Sequence, residues 1–248
     1  VAPLMAEQHA LGRHTEFRDT LLSGLRMNLA YLTPVALLAV WFARPVVGLV
    51  YQRGAFGETD LAMTASAFAL YSVGLVAMGA EFLLVRAFAA KLDTKTPVKV
   101  SAIAFVLNVV LNLLLVRTPL KHAGLALATS LSFAAHAVIL YMIMNRRALE
   151  VRAAIPPVEL LKAAARVLAA CAVMTAVIWA LERALVAGGP LESWLGIPIA
   201  ANLFIHRLIR ISVAGGLGAL AYLSAARRFG VVEVGKLARR IEGASREG

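Results

Sequence analysis

Val98-Lys-Val-Ser-Ala-Ile-Ala-Phe-Val-Leu-Asn-Val-Val-Leu-Asn-Leu-Leu-Leu-Val116 is a run of 19 residues broken by one charge, Lys99. At 1.5 Å per residue it just crosses a hydrocarbon layer of about 30 Å. Five further apolar runs accompany it, at 28–50, 61–85, 124–144, 160–180 and 207–226. Each is long enough to span. None alternates with a period of two over about ten residues, so a transmembrane barrel is unsupported. The expected class is an all-α polytopic membrane protein with six spans. It divides into an interfacial amphipathic segment over 1–27, a membrane domain over 28–226 and a basic tail over 227–248.

Composition agrees. Of the 248 residues, 60% are hydrophobic and 16% charged, and the mean hydropathy is +0.79, which does not describe a water-facing surface. The net charge of +11 would suggest a nucleic-acid partner in a soluble protein. Here the cations sit in short segments between apolar runs, the pattern of basic cytoplasmic loops, and nucleic acid is not an expected partner. The six-span arrangement places 18 of the 25 Lys and Arg residues on the side that holds both termini, so both termini are expected to be cytoplasmic. The lone Cys171 lies inside an apolar run and can form no disulfide within the chain. The opening Val1-Ala-Pro-Leu shows no signal-peptide pattern, and the chain is expected to be a fragment.

Phe17, Leu21 and Leu25 recur every four residues between Arg13 and Arg26, which suggests an amphipathic helix on the membrane surface. The tail from Arg227 intersperses basic residues with Val232, Leu237 and Ile241 and is expected on the anionic inner leaflet. Residues 181–206, with Gly188-Gly-Pro190 and Trp194, read as an extracytoplasmic loop, and 148–159, with Pro156-Pro157, as a cytoplasmic linker.

Chemistry of the catalytic kind has no foothold. The chain carries no phosphate-binding glycine loop, no HExxH and no nucleophile–base set. Its histidines, at 9, 14, 122, 136 and 206, lack metal-ligand spacing. No catalytic residue, metal or cofactor is expected, and an enzyme is not.

Polarity inside the membrane is what remains, because each ionisable side chain there costs about 2.5–3.5 kcal/mol on insertion scales. Glu81 lies near the cytoplasmic end of the second span with Arg86 just beyond. Two readings stay open for it: a gating carboxylate facing a cavity, or a shallow Glu that reaches the interface with help from the cation. Asn108 and Asn112 share one face of the third span, and Ser132 and His136 one face of the fourth. If that hairpin packs antiparallel, the two pairs are expected to meet as hydrogen-bond glue or, alternatively, to line a pathway. Gly74, Gly79, Ser212, Gly216 and Gly218 read as close-packing positions, and Pro34 as a kink in the first span.

Several stretches carry a resemblance: Gly48-Leu-Val-Tyr-Gln-Arg-Gly-Ala-Phe56, Tyr71-Ser-Val-Gly-Leu75, Ala87-Phe-Ala-Ala-Lys-Leu-Asp-Thr-Lys-Thr-Pro-Val-Lys99, Leu107-Asn-Val-Val-Leu-Asn-Leu-Leu-Leu115 and His122-Ala-Gly-Leu-Ala-Leu-Ala-Thr-Ser130. In order and spacing these resemble the MurJ/MviN family, over residues 1–147 in motifs and over 148–226 in hydropathy. Those proteins are bacterial lipid II flippases of the multidrug/oligosaccharidyl-lipid/polysaccharide exporter superfamily.

The resemblance implies a two-lobe, alternating-access fold in the bacterial inner membrane that serves peptidoglycan and cell-wall biogenesis. The implied substrate is lipid II, the undecaprenyl-pyrophosphate-linked precursor, with membrane lipids around it. Six spans match the C-terminal part, so the N-terminal lobe of the same protein is an implied partner. The family-motif loop carries Asp93, Lys95, Thr96 and Pro97. A Lys that the family often places in the second span falls at Phe82 here. The loop cations Arg53, Arg86, Lys91, Lys95 and Lys99 are expected to set topology and touch head groups, with direct substrate contact as the alternative. Candidates for substrate contact or gating are therefore Glu81, Arg86, Arg53, Asn108, Asn112 and His136. An exporter of another lipid-linked saccharide, and a non-transporting scaffold for cell-wall synthesis, are the alternative functions.

Overall fold

A computed structural model describes residues 2–149, 154–184 and 203–231. Among them there is no strand. The helices are α1 (Ala2–Ala10), α2 (His14–Trp41), α3 (Ala43–Tyr51), α4 (Glu58–Val73), α5 (Leu75–Ala90), α6 (Lys95–Leu115), α7 (His122–Leu149), α8 (Pro157–Ala184), α9 (Leu203–Ile209) and α10 (Gly216–Arg228), with a π-helical turn at Arg210–Gly215 ahead of α10. Six stretches are long and apolar enough to cross a membrane: His14–Trp41, Glu58–Ala90, Lys95–Leu115, His122–Ala148, Pro157–Arg183 and Arg207–Arg228.

The first span differs from the expected 28–50. It begins at His14, continuous with the segment expected on the membrane surface, and it stops at Trp41. Pro45 explains the stop, because it has no N–H to give the Trp41 carbonyl. The chain restarts as α3, where Val46 N–H donates to the Phe42 carbonyl at 2.8 Å, and α3 packs on α4. Phe17, Leu21 and Leu25 are covered by protein: they form a buried cluster with Leu84 and Phe88 of α5 and Leu140 and Met144 of α7. Pro34 lies within α2, which continues through it.

Helix α7 packs against α4, α5 and α6, while α2 bridges α4 and α5 to α8, and α8 holds α10. The second core joins Cys171, Met174 and Ile178 of α8 to Tyr222 and Ala226 of α10. Apolar side chains also point outward. On α6, Phe105, Val106, Leu113 and Leu114 are all exposed, which suits a helix in contact with lipid or another apolar surface.

Polar ties mark the two ends of the bundle. At one end Arg147 meets Asp93, and Arg26 meets Glu159 at 2.6 Å. At the other, Glu182 accepts from Arg210 at 2.6 Å and from the Trp41 indole at 3.1 Å, and Glu58 accepts from Arg44 at 2.8 Å and Gln52 at 2.7 Å. The expected loop around Gly188 and Trp194, and the tail beyond Val231, lie outside the described residues.

Candidate functional site

Glu81 and His136 come together. The carboxylate Oε1 of Glu81, on α5, stands 3.0 Å from Nδ1 of His136, on α7. The other ring nitrogen of His136 lies 3.4 Å from the Ser101 hydroxyl of α6. One imidazole thus ties three spans. His136 is 4% exposed and the Glu81 side chain 18%, so the carboxylate turns into the bundle.

Glu81 lies farther from the end of its helix than the expected span of 61–85 placed it. Helix α5 runs on to Ala90, which leaves Glu81 about 14 Å from that helix end. Arg86 gives it no help. The two residues are about 140° apart round the helix, and the Arg86 guanidinium lies over the Phe82 ring at 4.3 Å from its centroid.

The expected meeting of Asn108 and Asn112 with Ser132 and His136 does not occur. Asn112 donates its amide to Asn108 at 2.9 Å along α6, and Ser132 donates to the Ala128 carbonyl of its own helix at 2.8 Å. In an antiparallel hairpin, partners lie equally far from the turn. With the turn centred between Thr118 and Pro119, Ser101 faces His136, whereas Asn108 is level with Thr129. The expectation counted depth from the N-terminal end of each helix, and those ends lie on opposite sides of the bundle. Ser101 is the member of the site that sequence reasoning missed, and counting from the turn finds it.

The α5–α6 loop is a second constellation. The Asp93 carboxylate accepts the Thr96 N–H at 3.0 Å and the Thr96 hydroxyl at 2.6 Å. Arg147, at the end of α7, donates to the same carboxylate at 2.5 Å and to the Thr96 oxygen at 3.1 Å. The Thr96 hydroxyl, the Thr96 N–H and Arg147 together pull the Asp93 carboxyl down to about 2. Pro97 sits in the first turn of α6, where its missing N–H costs no helical bond. Lys95 and Lys99 are exposed. Lys91 lies against the Phe17 ring, and burial, then the Arg147 charge, lowers its ammonium from the usual lysine range. Arg53 is exposed in the turn after α3, where it donates to the Val50 carbonyl at 3.2 Å.

An apolar recess of about 500 Å³ opens between α2, α5, α7 and α8, lined by Leu25, Asn28, Ala80, Tyr141, Leu160 and Ala164 among others. Its one amide side chain, Asn28, is engaged with the Val76 carbonyl at 2.9 Å. Among the described residues no three His, Cys, Asp or Glu side chains gather as a metal would require.

The family described as "Lipid II flippase MurJ" matches residues 1–196. The chain belongs to that family. The match runs past residue 147, where the recognisable MurJ motifs end. Similar proteins include the lipid II flippase MurJ of Burkholderia cenocepacia, 29% identical over 58% of this chain and 28% of the relative. The probable lipid II flippase MurJ of Rickettsia prowazekii is 33% identical over 44% of this chain and 22% of the relative. That of Vibrio cholerae is 28% identical over 93% of this chain and 41% of the relative. The chain thus covers well under half the length of these MurJ relatives. At Phe82, where the resemblance places a Lys, the side chain is 60% exposed and lies under the Arg86 guanidinium.

Proposed function

We propose that this chain is the C-terminal part of a lipid II flippase of the bacterial inner membrane. In that role it carries the undecaprenyl-pyrophosphate-linked precursor from the cytoplasmic to the outer leaflet together with an N-terminal lobe of the same protein. The observation that carries this is the family match over residues 1–196. The family description names a transporter, and the six apolar helices suit a multi-pass membrane protein.

The helices divide the work by their contacts. Tied through His136 and Arg147, α5, α6 and α7 move as one body, one wall of a rocking lobe in alternating access. Arg53, Arg86, Lys95 and Lys99 are exposed loop or helix-end cations, suited to phosphate head groups and to setting topology with both termini cytoplasmic. The apolar recess suits hydrocarbon. Glu81, Asn108, Asn112 and His136 are polar groups at membrane depth, the class that gates or lines a path.

Complementation tests this. A bacterium depleted of its own flippase, given the complete reading frame that contains this chain, regains growth and clears accumulated lipid II. Continued accumulation at normal protein levels rules the proposal out.

A further inference from the structure

We propose that Glu81 and His136 form a proton-binding site within the membrane, and that the proton held there sets the direction of the hydrogen bonds that tie α5, α6 and α7. The carboxylate and the imidazole nitrogen are 3.0 Å apart, across two spans. With one proton between them the pair is neutral overall, as an ion pair or as a carboxylic acid facing a neutral ring. Removing that proton leaves a net negative charge at membrane depth, and adding a second leaves a net positive one. Either is costly there. A group that is neutral with one proton and charged on both sides of that state is a proton site by construction.

The surroundings leave the pair to itself. On α5, Arg86 lies over Phe82. On α6, Lys95 and Lys99 are exposed. On α7, the Tyr141 hydroxyl donates to the Ile155 carbonyl and Arg147 is held by Asp93. On α2, Arg26 pairs with Glu159 and Arg18 with Asp19, while His14, like Glu7 and His9 of α1, stands toward the helix ends. On α4, Glu58 is bound to Arg44 at the far end. A metal ion is disfavoured as the occupant, since two donors fall short of a four-ligand shell.

The third contact makes the proton structural. His136 reaches Ser101 with the ring nitrogen that does not face Glu81. A doubly protonated ring donates to both helices, while a neutral ring donates to one and accepts from the other. Both bonds form in either state with a Glu81 carboxylate, and the proton count sets the direction of the Ser101 bond: the doubly protonated ring donates to the hydroxyl oxygen, while the neutral ring accepts from the hydroxyl.

The site is tested on the full chain reconstituted in phosphatidylcholine–phosphatidylglycerol vesicles, without lipid II, so the outcome is independent of the flippase reading. Infrared difference spectra are taken across about pH 3 to 11, wide enough to reach both the loss of the shared proton and the gain of a second, and proton uptake is counted with a pH dye. The expected result is paired carboxyl and imidazole bands, with Glu81→Gln deleting the carboxyl band and His136→Asn the imidazole band. Each variant takes up fewer protons than the parent. Glu81→Gln keeps a side-chain oxygen for the ring, and helical content by circular dichroism confirms folding. If a variant does not fold, the parent chain with isotope-labelled Glu and His carries the test through coincident shifts. Bands that do not respond to pH, or variants with unchanged spectra and uptake, overturn the proposal.

Discussion

Arg147, in the last turn of α7, places its guanidinium 2.5 Å from the carboxylate of Asp93, which itself holds the start of α6 through Thr96. Two spans joined by a turn at one end of the bundle are thus fastened again at the other. The hairpin is closed at both ends.

Asp93→Ala removes the acceptor of the Thr96 N–H and hydroxyl and the charge partner of Arg147 together, and is expected to cost about 1–2 kcal/mol. Asp93→Asn keeps the acceptor and costs less. The sign with pH follows from the carboxyl lying at about 2, below its usual 3.8. Its contribution is complete above about pH 4 and is lost as pH falls through about 2. Thermal melts of the detergent-solubilised chain across that window check this, and a parent and Asp93→Asn that fall in parallel would contradict it.

Two glycines are expected to respond in opposite directions. A Cβ at Gly74, where α4 meets α5, would lie 2.5 Å from the Ser130 hydroxyl and 2.8 Å from its Cα. Because backbone must move, Gly74→Ala is expected to destabilise by about 1–3 kcal/mol. At Gly216 a Cβ meets nothing within 4 Å, so Gly216→Ala is expected to stabilise by about 0.4–1 kcal/mol. Paired melting curves decide both.

Leu92 adopts φ +58° with its side chain 89% exposed. A left-handed leucine costs roughly 1–2 kcal/mol, and nothing buried repays it. Leu92→Gly is expected to raise the melting temperature of the solubilised chain. No change would mean that the residue gains as much elsewhere.

Orientation can be read by thiol labelling, because the one native thiol, Cys171, is 1% exposed and should stay silent. With both termini cytoplasmic, an impermeant maleimide added to intact spheroplasts labels Lys121→Cys and spares Lys95→Cys. The reverse pattern would invert the topology.

The number and class of the spans were legible because hydropathy alone reports them: 98–116 overruns α6 by one residue, and 124–144 falls inside α7. Where the first span ends was not, since Trp41 through Tyr51 is uniformly apolar apart from Arg44, and only the missing N–H of Pro45 breaks it. Glu81 and His136 were each visible as polar groups in apolar runs. Their pairing was not, because contact between α5 and α7 depends on how a hairpin folds back on an earlier helix. Ser101 escaped notice as a small polar residue near a helix start, where hydroxyls are common and satisfied by their own backbone.

The central claim is that this chain belongs to a working lipid II flippase, and the most direct measurement is flipping itself. The complete protein containing this chain, reconstituted with fluorescent lipid II, is predicted to move the label from one leaflet to the other faster than vesicles without protein, as read by loss of dye to an impermeant quencher. A rate no greater than that of protein-free vesicles, with the protein folded and correctly inserted, would contradict it.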